Sequence, residues 1–163
     1  MNILFTRFPL EAIPGGGAET QVESLATGLA ERGHSVTFAG SCPALGSAFR
    51  SKNFPVVSLD VGPPPVSKTT IARFALRKRS MRAALERMLD DFSKLDVIVM
   101  LSLTEKLLLT DIAAKRGITV VWIEHDPVGR WLRKNPWRKL LLRVSALATT
   151  ITVSELSRIE YLE

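Results

Sequence analysis

Short apolar, β-branched runs alternate along the chain with longer segments in which apolar residues recur every three or four positions. That alternation is the pattern of parallel strands joined by crossover helices. The first run, Asn2–Arg7, predicts a strand. Residues Ala18–Arg32 predict a helix whose apolar stripe is Ala18, Val22, Leu25, Ala26 and Leu29. Gly33 stands where a helix C-cap belongs. Further strands are predicted at Ser35–Ala39 and Pro55–Leu59, and Gly62-Pro63-Pro64-Pro65 predicts a turn. A long helix over Thr70–Phe92 would send Ile71, Phe74, Ala75, Met81, Leu85, Met88 and Phe92 to the core and leave a strongly basic opposite face.

Leu95–Leu101 is a near-continuous apolar run, as expected of a central strand covered on both faces. Ser102 and Glu105 have capping-box spacing and open a helix to Arg116 that Gly117 closes. A strand follows at Thr119–Glu124, then the loop His125-Asp126-Pro127-Val128-Gly129. Asn135-Pro136 predicts an N-cap with proline at the first helical position, ahead of the stripe Trp137, Leu140, Leu141 and Val144. Ala148–Val153 is the last predicted strand, and Ser154 is placed to cap a helix that the chain leaves after a few residues. Such an ending is expected of a piece of a longer polypeptide. The fold class is therefore α/β: a Rossmann-like open parallel sheet with helices on both faces.

The bulk numbers narrow the class without changing it. A chain of 163 residues that is 46% apolar fills one core, so residues 1–163 are read as one domain. The single cysteine, Cys42, cannot form an internal disulfide, which fits a reducing compartment. The opening residues lack the basic start and small-residue cleavage site of a signal peptide, and no uncharged apolar stretch reaches the roughly 18 residues that a membrane span needs. A cytoplasmic location is expected. Net charge is +6, with cations concentrated between Lys68 and Arg87 and between Arg130 and Arg143.

Chemistry concentrates first at Pro14-Gly15-Gly16-Gly17-Ala18-Glu19, between the first strand and the first helix. Glycines there let backbone N–H groups approach a ligand, and the helix dipole favours an anion such as a diphosphate. A tight strand-to-helix turn that needs positive φ would use the same residues. A P-loop is excluded, because Gly17 is followed by Ala18-Glu19-Thr20 in place of Gly-Lys-Ser/Thr. A nicotinamide dinucleotide site is disfavoured, because the second strand ends in Ala39-Gly40-Ser41-Cys42 without the acid that would hold a ribose.

The order Asn2-Ile3-Leu4-Phe5, Pro14-Gly15-Gly16-Gly17-Ala18-Glu19, Leu29-Ala30-Glu31-Arg32-Gly33-His34-Ser35-Val36-Thr37, then Lys115-Arg116-Gly117-Ile118, His125-Asp126 and Ile151-Thr152-Val153-Ser154 resembles the amino-terminal domain of the family four, GT-B-fold retaining glycosyltransferases. The resemblance implies two Rossmann-like domains facing across a cleft, of which this chain is the acceptor-side half. The carboxy-terminal donor-binding domain is absent from it. On that basis Gly15, Gly16 and Gly17 would lie over the donor diphosphate, and His125 near the transferred sugar. Asp126 and Ser154 would orient the histidine or line the site. The implied reaction moves a hexose from a nucleotide-sugar to a glycolipid or polysaccharide acceptor with retention of configuration, with no cofactor and no metal. The fragment alone would turn over little or nothing.

Other readings stay open. The chain could be a stand-alone binding module of the same fold or a piece of a nucleotide-sugar epimerase. Before Asp-Pro, a lone histidine such as His125 is more often structural, and His34, at the opposite end of the sheet, is read as structural. Arg73, Arg77, Arg130, Arg133 and Lys134, interleaved with indoles in the second segment, suit an anionic membrane surface at the inner face of the cell membrane. A solvated helix face with tryptophans in the core accounts for the same pattern. No recognition motif accompanies the charge, so nucleic acid is not expected.

Overall fold

The computed structural model describes residues 1–9, 16–125, 135–155 and 158–159. The predicted alternation is borne out. The strands are β1 (Asn2–Arg7), β2 (Ser35–Gly40), β3 (Val56–Ser58), β4 (Val97–Met100), β5 (Thr119–Glu124) and β6 (Thr149–Thr152). They form a sheet of order β3-β2-β1-β4-β5-β6 in which every neighbouring pair is parallel. The helices are α1 (Gly17–Glu31), α2 (Pro43–Ser51), α3 (Lys68–Asp90), α4 (Leu103–Lys115) and α5 (Arg138–Ser145).

Alternation of side chains along the strands sends Leu4, Ile98, Val120 and Trp122 to one face and Ile3, Phe5, Val36, Phe38 and Val99 to the other. The first face carries α3, α4 and α5 through Phe74, Met81, Leu85, Leu108, Leu141 and Val144. The second carries α1 and α2 through Val22, Ala26, Leu45 and Phe49. Three layers result, and the central strands β1 and β4 are covered on both sides, which is why they are apolar throughout their middles. Phe49 packs edge-on against Phe5 at 5.9 Å and against Phe54 at 5.7 Å, so α2 is anchored by one ring.

Gly33 and Gly117 end α1 and α4 with φ of 81° and 74°, a conformation other residues adopt at a cost. The predicted capping box at Ser102 and Glu105 is present. Three details differ from expectation. Helix α2 was not anticipated. Leu25 is 40% exposed, and Ala75 is exposed too, because α1 buries a narrow stripe centred on Val22 and Ala26 and α3 turns Phe74 inward in preference to its neighbour. Asn135 is not the N-cap of α5, a place taken by Trp137. Asn135 Oδ1 accepts the Trp137 N–H at 2.9 Å and its Nδ2 donates to Pro65 O at 2.7 Å, tying the start of α5 to the proline-rich turn.

Candidate functional site

In an open parallel sheet the ligand crevice lies outside the carboxyl ends of the strands, where the strand order reverses. Here the reversal falls between β1, whose chain continues to β2 on one side, and β4 on the other. The rim is built from Arg7 ending β1 and Phe8 after it, Gly16 and Gly17 opening α1, Ser102 to Glu105 opening α4, and Glu124 ending β5 with His125 after it. The Phe8 N–H donates to Ser102 Oγ at 3.0 Å, which joins the two sides of the crevice.

Gly16 is the N-cap of α1 with φ of −123° and Gly17 is its first residue, and neither has positive φ. The tight-turn account therefore does not explain these two glycines. A Cβ on Gly17 would meet nothing within 4 Å, and one on Gly16 would touch Glu19 Oε2 at 3.4 Å, so the fold tolerates side chains at both. Their bareness leaves an open approach to the start of a 15-residue helix. Gly15 lies outside the described residues.

Glu19 gathers this rim. Its Oε2 accepts the Gly16 N–H at 2.8 Å, and its Oε1 meets Arg7 Nη2 at 2.7 Å. Burial pushes its carboxyl up, but the Gly16 and Glu19 N–H groups, Arg7 and His125 outweigh that and hold it below the usual carboxylate range. β1, β4 and β5 are parallel neighbours, so the carboxyl end of β5 opens on the same edge of the sheet as the glycine turn. Thus Gly16, Gly17 and His125, chosen from sequence, share one rim, while Asp126 lies outside the described residues. Ser154 is exposed just beyond β6, where its carbonyl accepts from the Arg158 N–H at 3.0 Å. His34 stands at the other end of the sheet beside the Met1 amine, as read.

Arg7, Glu19, Glu105, Lys106 and Glu124 were not singled out as site residues by sequence. The signal available was charge in an apolar setting: Arg7 and Glu124 each end a hydrophobic strand, and Lys106 interrupts a helix that is apolar on most sides. Glu105 is fully buried, and burial pushes its carboxyl up to about 8, against the N–H groups of Glu105, Ser102 and Leu101 and the Lys106 ammonium. Its Oε1 accepts from Ser102 N at 2.6 Å and Leu101 N at 3.1 Å.

Several solved structures share the fold, three of them as follows. MurG of Acinetobacter baumannii matches at 13% identity and a TM-score of 0.62, over 95% of this chain and 42% of that one. A glycotransferase of kitacinnamycin matches at 16% and 0.57, over 99% and 38%. The UDP-GlcNAc 2-epimerase of Neisseria meningitidis, bound to UDP-GlcNAc, matches at 15% and 0.61, over 99% and 42%. The chain thus spans about two fifths of the length of these proteins. No curated protein matches the sequence. Residues 15–163 match Glycosyltransferase Family 4, nearly the whole length, and with the switch-point rim and parallel sheet already in place the chain belongs to that family.

Proposed function

We propose that this domain is the acceptor-side half of a retaining glycosyltransferase that moves a hexose from a nucleotide-sugar to a glycolipid or polysaccharide acceptor. The observation that carries the reading is the pair Gly16 and Gly17: glycines that no backbone angle requires, at the start of a long helix, on the rim where the strand order reverses. A diphosphate is assigned there, with Gly17 leaving room for it and the helix dipole favouring its charge, while Glu19 holds Arg7 and the Gly16 N–H. The family match and the UDP-GlcNAc held by one protein of this fold support the donor class. Gly15 is assigned to the same phosphate contact.

In this reading His125 hydrogen-bonds the transferred sugar or the acceptor hydroxyl, with Asp126 and Ser154 as orienting groups. No side chain of the domain is needed as a nucleophile. Catalysis rests on stabilising the departing diphosphate and on holding the acceptor in line. Most donor contacts would come from a second domain, so the isolated domain is expected to bind donor poorly and turn over little. The epimerase reading has likeness of fold alone behind it, whereas the family match is to transferases.

Arg73, Arg77 and Arg79 are exposed on α3 around Leu76, which is 86% exposed. Cations surrounding a bare leucine suit the headgroup region of an anionic membrane, and a glycolipid acceptor would be met there. Arg130, Arg133 and Lys134 belong to the same reading but lie outside the described residues. Among the described residues no helix is long and apolar enough to cross a membrane.

The test is turnover by the intact protein, read as nucleoside diphosphate release from a panel of nucleotide-sugars with lipid acceptors. His125→Ala is expected to lower turnover at least a hundredfold with thermal stability nearly unchanged. Full activity in that variant would remove His125 from the site.

A further inference from the structure

Lys106 stands in the first turn of α4 with its side chain only 3% exposed. That is a poor place for a cation twice over, because water is removed from it and the helix start is already positive. Its ammonium leaves the helix and crosses to the end of β5. There it donates to Ile123 O at 3.1 Å, meets Glu124 Oε1 at 2.8 Å and lies 5.8 Å from the centre of the Trp122 ring.

The strand register explains the need. β5 pairs with β4 only over Thr119–Trp122, whereas β6 pairs with it over Val121–Glu124. The Glu124 carbonyl accepts from Val153 N, 3.4 Å away beyond β6, so alternation turns the Ile123 carbonyl towards the β4 side. β4 has already ended at Met100. The Lys106 ammonium thus stands in for a missing strand. Thr110 fixes the arrangement from below, accepting from Trp122 Nε1 at 3.1 Å and donating to Lys106 O at 2.8 Å.

We propose that Lys106 and Glu124 are positioning residues for His125, fixing the direction in which the chain leaves β5 at the residue next to Glu124. The inference rests on the reading that His125 serves the reacting sugar. A buried ion pair adds little net stability compared with uncharged groups of similar volume, so stability alone is a weak reason for this one. Placement is a strong reason, since roughly 1 Å of error at a reacting group can cost about a hundredfold in rate.

The chain contains two histidines, and His34→Gln leaves His125 as the only imidazole. In that background the ring signal of His125 is compared by NMR, at fixed pH, with and without K106M/E124Q, which removes both charges at nearly constant volume. We expect melting within a few degrees of the parent but a shifted, broadened His125 signal. In the intact protein, turnover should fall at least tenfold at unchanged donor KM, and adding K106M/E124Q to His125→Ala should cost nothing beyond the loss that His125→Ala causes alone. An unaltered ring signal overturns the proposal, as does full turnover in K106M/E124Q when His125→Ala is inactive. A fully active His125→Ala would instead overturn the role of His125 and leave the ring-signal result standing. Should K106M/E124Q melt out, Glu124→Gln alone, which keeps the bond from Lys106 to Ile123, is read against the same two outcomes.

Discussion

Glu105 and Lys106 stand side by side in the first turn of α4 and meet burial in opposite ways. The Lys106 ammonium finds Glu124 and a carbonyl, whereas Glu105 takes two backbone N–H groups on one oxygen and holds its proton up to a pH of about 8. Unfolded, that carboxyl would titrate near 4.5. Between those values folding takes up a proton, so stability falls as pH rises, by at most about 1.4 kcal/mol per pH unit. Glu105→Gln keeps the accepting oxygen of the capping box and removes the titration, so it should flatten the dependence. Denaturant midpoints at pH 5, 6.5 and 8 check this, and equal slopes in parent and variant would contradict it. The carboxyls of Glu19, Asp96 and Asp111 are held low, so their contributions are lost only as pH falls below the ordinary carboxylate range, outside this window.

At the scale of elements, α3 shows how a basic helix divides its charges. Arg82 is turned to the protein, pairing with both oxygens of Asp111 on α4 at 2.9 and 2.8 Å. Lys78 lies 4.8 Å from the Trp137 ring centre, and Trp137 packs edge-on against Phe74 at 5.1 Å. Those two cations are spent inside, and the outward set is Lys68, Arg73, Arg77, Arg79 and Arg87. The chain is expected to co-sediment with anionic vesicles at low salt and to be released near 0.5 M salt, where screening shortens to a few ångströms. Replacing Arg73 and Arg77 by Glu should abolish the binding, and equal sedimentation with neutral vesicles would contradict it. Most elements were legible because their ends carry their own chemistry: Gly33, Gly117 and the pair Ser102 and Glu105 marked the boundaries of α1 and α4. Helix α2 was not, since its nine residues include Gly46 and two serines, and only Leu45 and Phe49 trace its buried face.

For the whole molecule, the candidate site draws on segments that sequence separates by a hundred residues. The placement of the glycine turn and His125 on the rim was legible because each follows a strand at the same end of the sheet. Arg7, Glu19 and Lys106 were not, because their meaning depends on which strands are neighbours: Lys106 matters only because β4 stops two residues short of the end of β5. The glycines carry the central claim. Because Gly17 lies in a helix with nothing within 4 Å of a Cβ, Gly17→Ala should leave stability unchanged or raise it by up to about 1 kcal/mol. If a donor phosphate occupies that space, the same methyl group should raise the donor KM of the intact protein at least tenfold. The decisive measurement is donor KM and melting temperature on Gly17→Ala together. A weakened donor KM in an equally or more stable protein is the predicted result, and an unchanged donor KM would contradict the account.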